Sequence, residues 1–145
     1  MAKKNTKIVI GRIEEATFPE LGLYNISAKI DTGAYNSSIH CEDIQEIGER
    51  LHCRFAKPIS KKSKHKSLVF DTYNIAVVKS SNGQTERRYK IMTIIQFGSK
   101  EYPIALTLTD RGEMRYPVLI GRKFLKKRFL VDVAFTNKLK HTNEK

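Results

Sequence analysis

An all-β domain, a barrel or a sandwich carrying one or two short helices, is predicted by three features of this sequence. Apolar and polar residues alternate through most of it, turn residues fall between the alternating runs, and helical spacing is scarce. A period of two places successive side chains on opposite faces of a strand, so each run buries one face. Many such runs without a repeating strand and helix alternation exclude a βαβ fold.

The elements follow in chain order. Ile26, Ala28 and Ile30 alternate with Asn25, Ser27 and Lys29, and Ser37-Ser38-Ile39-His40 reads as a further strand. Glu42 to Arg50, with Ile44 and Ile47 three apart, predicts a short helix. Leu51, Cys53 and Phe55 then alternate with His52 and Arg54. Pro58 to Ser67 is polar and basic and is expected to be an exposed loop, with the role of the cations over Lys57 to Lys66 left open. Leu68 to Val78 is rich in β-branched and aromatic residues. Asn82-Gly83 is the strongest hairpin signal in the chain. Tyr89, Ile91, Thr93, Ile95 and Phe97 form the next strand, Tyr89 with its ring toward the core. Gly98 to Glu101 turns the chain into a strand containing Ile104, Leu106 and Leu108. Pro117 to Gly121 is a continuous apolar strand, Arg122 to Lys127 a short helix around Phe124 and Leu125, and Arg128 to Val133 a closing strand. Residues 1–136 are taken as one domain and 137–145 as a frayed polar tail with one apolar residue, Leu139.

Composition narrows the function classes. With 145 residues the default is a single domain, and 27 Lys and Arg against 15 Asp and Glu leave a net charge of +12. That charge favours polyanionic partners, whether nucleic acid, ribosome or acidic peptide. No apolar run approaches the ~20 residues of a membrane span, and Met1 to Ile10 does not read as a signal peptide, so a soluble cytoplasmic protein without a membrane partner is expected. Cys41 and Cys53 are the only cysteines and are expected to be buried, reduced thiols. His40, Cys41, His52, Cys53 and His65 could be strung into a zinc ligand set, but there is no HExxH or CxxC, and adjacent strand residues face opposite ways. No metal and no cofactor is expected.

One segment carries chemistry. The alternating strand ending at Ile30 runs straight into Asp31-Thr32-Gly33-Ala34, which sets a carboxylate on a tight turn between two strands. Gly33 lets backbone approach that carboxylate, and Thr32 adds a hydroxyl. On its own the tripeptide is equally an ordinary turn. Downstream, Pro117-Val118-Leu119-Ile120-Gly121-Arg122 precedes the short helix and the last strand. In that order the parts resemble retroviral-type aspartic peptidases, the retropepsins, over roughly Leu23 to Val133.

Within that group, Ala28 to Ala34, Leu106-Thr107-Leu108-Thr109-Asp110-Arg111, Met114, Pro117 and Leu119 to Arg122 resemble a bacterial family that carries the label ATP-dependent zinc protease. Its members include the peptidase partner of RimK-type ribosomal-modification glutamate ligases. The resemblance implies a closed or partly open barrel of the single-lobe acid-protease type. Asp31 would be the catalytic carboxylate, Thr32 and Gly33 would hold its loop, Ala34 would lie beside the substrate, and Val118 to Gly121 would pack beneath. It also implies a hairpin around Asn82-Gly83 acting as a flap. Neither "zinc" nor "ATP" finds residues here, since no G-x-x-x-x-G-K-[ST] phosphate loop occurs. Tyr35-Asn36 stands where the viral enzymes carry acidic residues, and the flap tip has one glycine, so viral substrate preference does not transfer.

Aspartic peptidases use two carboxylates about one water. The chain has one D-T-G, and neither Asp71-Thr72-Tyr73 nor Asp110-Arg111-Gly112 is a second copy. A symmetric homodimer is therefore expected. The charge suits an acidic substrate, and the resemblance to the RimK-partner group implies a glutamate-extended ribosomal-protein tail as that substrate, with a glutamate ligase as a further partner. Arg111 and Arg122 are candidate carboxylate contacts, Arg122 alternatively a structural partner that buttresses the dimer. Two other readings stay open: a non-catalytic basic β-barrel that binds RNA or the ribosome, and a retropepsin-fold scaffold without turnover.

Overall fold

The computed structural model describes residues 6–58, 65–79, 82–110 and 115–139. Eleven strands are formed: β1 (Ile8–Ile10), β2 (Ile13–Phe18), β3 (Leu23–Ile30), β4 (Ser37–Ile47), β5 (Arg50–Pro58), β6 (His65–Phe70), β7 (Asn74–Lys79), β8 (Thr85–Phe97), β9 (Lys100–Thr109), β10 (Val118–Ile120) and β11 (Phe129–Val131). A single 3₁₀ turn, Pro19–Leu21, and one short helix, α1 (Arg122–Leu125), complete the described elements. The all-β barrel expected from the alternation is what forms. Six strands close on themselves in the order β10-β3-β2-β8-β9-β4, with β4 returning to β10. Closure removes the free edges of those strands.

Three additions surround the barrel. β5 and β6 extend the sheet outward from β4, β7 pairs with β8 as a long hairpin, and β1 and β11 form a separate parallel pair. Alternation along β8 shows why the barrel fills: Ile91, Thr93, Ile95 and Phe97 are buried, whereas Met92 and Gln96 face out. The two-residue turn at Gly98-Ser99, where Gly98 adopts φ +66°, joins Phe97 to its partner Lys100. Phe97, Tyr102, Phe124 and Phe129 meet edge to face or stacked, with centroids 5.5 to 6.1 Å apart, and this cluster fixes α1 and β11 to the barrel.

Three elements depart from the sequence reading. Glu42 to Arg50 is not a helix but the end of β4, a turn and the start of β5. Cross-strand pairing of Glu46 with Leu51 and of Ile47 with Arg50 wins over the helical spacing. That spacing arises from a bulge between Glu42 and Gln45, with Asp43 at φ +53°, which turns Ile44 toward the core in place of Asp43. The tail does not fray at Asn137. The Asn137 amide bonds the Ile13 carbonyl at 2.8 Å, the Lys138 and Leu139 amides bond the Glu14 carboxylate, and Leu139 is buried. Of the loop expected over Pro58 to Ser67, Pro58 ends β5 and His65 to Ser67 begin β6. Residues 59–64 lie outside the described residues.

Cys41 and Cys53 are buried and free, as expected. A hydrogen bond to Cys53, followed by burial, pushes the Cys41 thiol far above the usual thiol range, which keeps it protonated and inert. Among the described residues no three His, Cys, Asp or Glu side chains gather as a metal site would require. No helix of the described residues is long and apolar enough to cross a membrane.

Candidate active site

β3 delivers Asp31 because its own end is held on both sides. The Ile30 amide bonds the Arg12 carbonyl at 2.9 Å, and the Asp31 amide bonds the Ile120 carbonyl at 2.8 Å. β10 is wedged between β3, which it pairs in parallel, and β4, which it pairs antiparallel. Its residues Val118 and Ile120 are fully buried, so the catalytic-loop candidate stands on a strand that cannot shift without opening the barrel.

The loop itself is tied residue by residue. The Gly33 amide donates to Asp31 Oδ1 at 3.1 Å and the Ala34 amide to the Asp31 carbonyl at 3.2 Å. A Cβ on residue 33 would sit 3.3 Å from that same oxygen, so glycine leaves the carboxylate its room. The Ala34 carbonyl accepts from the Arg122 amide at 2.8 Å, and the Tyr35 carbonyl from the Lys123 amide at 3.0 Å. Ser37 Oγ accepts from the Gly121 amide at 3.0 Å. A Cβ at Gly121 would stand 2.4 Å from the Asn36 carbonyl oxygen and 2.8 Å from that of Tyr35, both backbone atoms. Gly121→Ala is therefore expected to cost roughly 1–3 kcal/mol or more by overpacking and to displace the Asp31 loop. Thermal unfolding together with any hydrolytic assay checks it; an unchanged melting temperature and rate would show that the loop yields freely.

Asp31 opens into a cavity of about 370 Å³ lined by Gly33, Ala34, Asn36, Ser38, Thr107 and Thr109 from the barrel and by Val77, Val78, Lys79 and Arg88 from the β7–β8 hairpin. The hairpin expected around Asn82-Gly83 is present, with Lys79 opposite Thr85, and its two strands form one wall of the cavity over Asp31. Among the described lining residues Asp31 is the only carboxylate, facing two cations. Sequence reasoning did not single out Lys79 or Arg88. The signal lay in register: Arg88 pairs with Ala76 on a strand whose neighbouring residues are mostly exposed, yet its side chain is only 10% exposed.

The other candidates fall as follows. Asp31, Gly33 and Ala34 come together in the cavity, while Thr32 turns to a different face. Arg122 lies on that face too. It donates through Nη1 to the Thr32 carbonyl at 3.0 Å, and its guanidinium lies 5.9 Å from the Tyr35 ring centroid. These contacts tie Arg122 to the Asp31 loop, and Arg122 is not among the residues that line the Asp31 cavity. Arg111 lies outside the described residues, as does Met114.

Comparison with known proteins follows the geometry. Residues 9–140 match the family described as RimB-like, retropepsin-like aspartic endopeptidase RimB. Two probable alpha-L-glutamate ligases, from Shewanella pealeana and Shewanella halifaxensis, are each 39% identical over 135 residues, a match that covers 88% of this chain and 29% of theirs. The chain thus spans less than a third of the curated relatives it matches. A crystal structure of a protein of unknown function from Legionella pneumophila superposes with a TM-score of 0.72 at 30% identity, covering 92% of this chain and 99% of that one.

Proposed function

Because the chain belongs to the RimB-like family of retropepsin-like aspartic endopeptidases, we propose that it is one subunit of a homodimeric aspartic peptidase whose substrate is an acidic, glutamate-extended protein tail. The observation that carries the reading is Asp31 on a pinned loop, open to a cavity roofed by the β7–β8 hairpin.

Two Asp31 carboxylates facing across a two-fold axis would hold one water between them and share one proton, since like charges so close do not both ionise. The ionised carboxylate takes a proton from the water as its oxygen attacks the scissile carbonyl carbon. The protonated one gives its proton to the carbonyl oxygen. Collapse of the tetrahedral diol breaks the C–N bond and returns a proton to the amine nitrogen.

Support for the second subunit comes from the face beside the loop. Thr32 and Tyr35, with Leu125, Phe129 and Val131 and the cations Lys7, Arg122, Lys126 and Lys127, line a second cavity of about 550 Å³, and Tyr35 is largely exposed. Val9 and Leu130 of the β1/β11 pair and Val133 and Phe135 after it expose apolar side chains as well. Such an apolar set is what a two-fold interface covers. Support for the substrate comes from the net charge of +12 and from the name probable alpha-L-glutamate ligase on the longer relatives, which brings glutamate addition next to a domain of this kind.

Sedimentation velocity combined with mass spectrometry of peptides tests the reading. A dimer that releases glutamate-containing products from a tetra-glutamate-tailed peptide is the expected result. A monomer at micromolar concentration, or a dimer that leaves every tailed peptide intact, would overturn it.

A further inference from the structure

We propose that Arg88 is the specificity-determining residue of the Asp31 cleft, placed to bind a carboxylate side chain of the substrate. The inference rests on reading that cleft as the peptide-binding site. Arg88 projects from β8 into the cavity that Asp31 opens on, its side chain is only 10% exposed, and its buried Nε has no hydrogen-bond partner. A guanidinium donor left unpaired in a native fold is costly, and a small turn of the side chain toward the cavity would let a bound acceptor satisfy it. A carboxylate fits the planar fork better than any other acceptor a peptide offers.

The surroundings favour an anion. Arg88 is held from outside by Glu86, whose carboxylate accepts from Nη2 at 3.0 Å and is 60% exposed. With its carboxylate partner exposed, this pair contributes little, so Glu86 occupies Nη2 without saturating the guanidinium. Across the shared residues Asn36 and Thr107 the cleft adjoins a cavity of about 280 Å³ whose described lining residues include Lys90, Lys123 and Arg128 and no carboxylate. Arg88 and Lys90 are two apart on β8 and so present their side chains to one face. An extended peptide with successive acidic residues would run from Asp31 past Arg88 toward the cavity that holds Lys90 and Lys123. A neutral peptide offers the guanidinium only carbonyl oxygens, which are weaker acceptors than a carboxylate.

The test is a binding measurement in the full chain carrying Asp31→Asn, so that nothing is turned over. A fluorescent peptide ending in four glutamates and its four-glutamine counterpart are titrated with and without Arg88→Met. The glutamate peptide is expected to bind tighter by about tenfold to a hundredfold, the range of a hydrogen bond to a charged group. Arg88→Met is expected to collapse that ratio, and Arg88→Lys to restore part of it. Glu86→Gln alters an exposed side chain and carries the test even if Arg88 variants fold poorly. It frees the guanidinium from an internal competitor, so several-fold tighter binding of the glutamate peptide is expected. Equal affinity for the two peptides, equal weakening of both by Arg88→Met, or no gain from Glu86→Gln would overturn the assignment. The protein with Asp31 intact is assayed for cleavage of the same peptides. Arg88-dependent binding without cleavage would sink the peptidase reading and leave this one standing. Cleavage without an Arg88-dependent ratio would do the reverse.

Discussion

Asp31→Asn is expected to lower hydrolysis of a cleavable tailed peptide by at least about 10²–10⁴-fold, the contribution of a positioned general acid or base, while the protein folds and associates as before. The fold should survive because asparagine keeps the shape of the side chain and its Oδ1 still accepts the Gly33 amide. The loop is otherwise held by main-chain bonds to Ile120, Arg122 and Lys123 that the substitution does not touch. A mixing experiment sharpens the prediction. If each site needs an Asp31 from both subunits, equal amounts of the two proteins after exchange should retain about a quarter of the activity, because only that share of dimers has two intact copies. Retention of half the activity would mean that each subunit works alone. Undiminished cleavage by the variant would remove Asp31 from the chemistry altogether.

The barrel was legible because its walls obey period two where they matter. β3, β5 and β8 each show one buried face in register with their sequence alternation, β9 does so as far as Leu106 before both its faces are buried, and the turn at Gly98 and the hairpin around Asn82-Gly83 sit where glycine and asparagine chemistry puts them. The Asp31 loop was legible for a related reason, since a carboxylate and a glycine directly after a strand mark a tight, exposed turn. What escaped the sequence are residues whose type contradicts their place. Glu14 occupies a core position of β2 between Ala16 and the Gly11 turn, and a strand reading that requires apolar residues inside passes over it. Arg88 lies in a run of mostly charged residues that reads as a solvated face, and only the fold of the hairpin over Asp31 turns it inward. Glu42 to Arg50 failed in the opposite direction. A bulge mimicked helical spacing, and long-range pairing with β5 decided the outcome.

Glu14→Ala is expected to destabilise the protein by about 2–5 kcal/mol, a large part of the roughly 5–15 kcal/mol that holds a domain of this size together. The carboxylate is fully buried and carries three main-chain bonds. Oε2 accepts from the Gly11 amide at 2.7 Å and the Lys138 amide at 3.0 Å, and Oε1 from the Leu139 amide at 3.1 Å. Alanine would strand the buried Gly11 and Leu139 donors, each at a cost of about 1–3 kcal/mol. Glu14→Gln should fall between, because its carbonyl oxygen can still serve Gly11 and Lys138 while its NH₂ group faces the Leu139 N–H, donor against donor. On unfolding by heat, Glu14→Ala should lower the midpoint by on the order of 10 °C. An unchanged midpoint would show that the segment from Asn137 to Leu139 rests on its apolar contacts alone. The effect should also reach the Asp31 site. The clamp fixes the stretch from Gly11 to Ile13 against the 133–139 segment, where a Cβ on Gly11 would come 2.3 Å from the Phe135 carbonyl oxygen. Within that stretch the Arg12 carbonyl receives the amide of Ile30, the residue before Asp31. Loosening Glu14 weakens one of the two main-chain bonds that aim the Asp31 loop. Glu14→Ala should therefore lose activity at temperatures where it is still folded, a loss that Glu14→Gln largely spares.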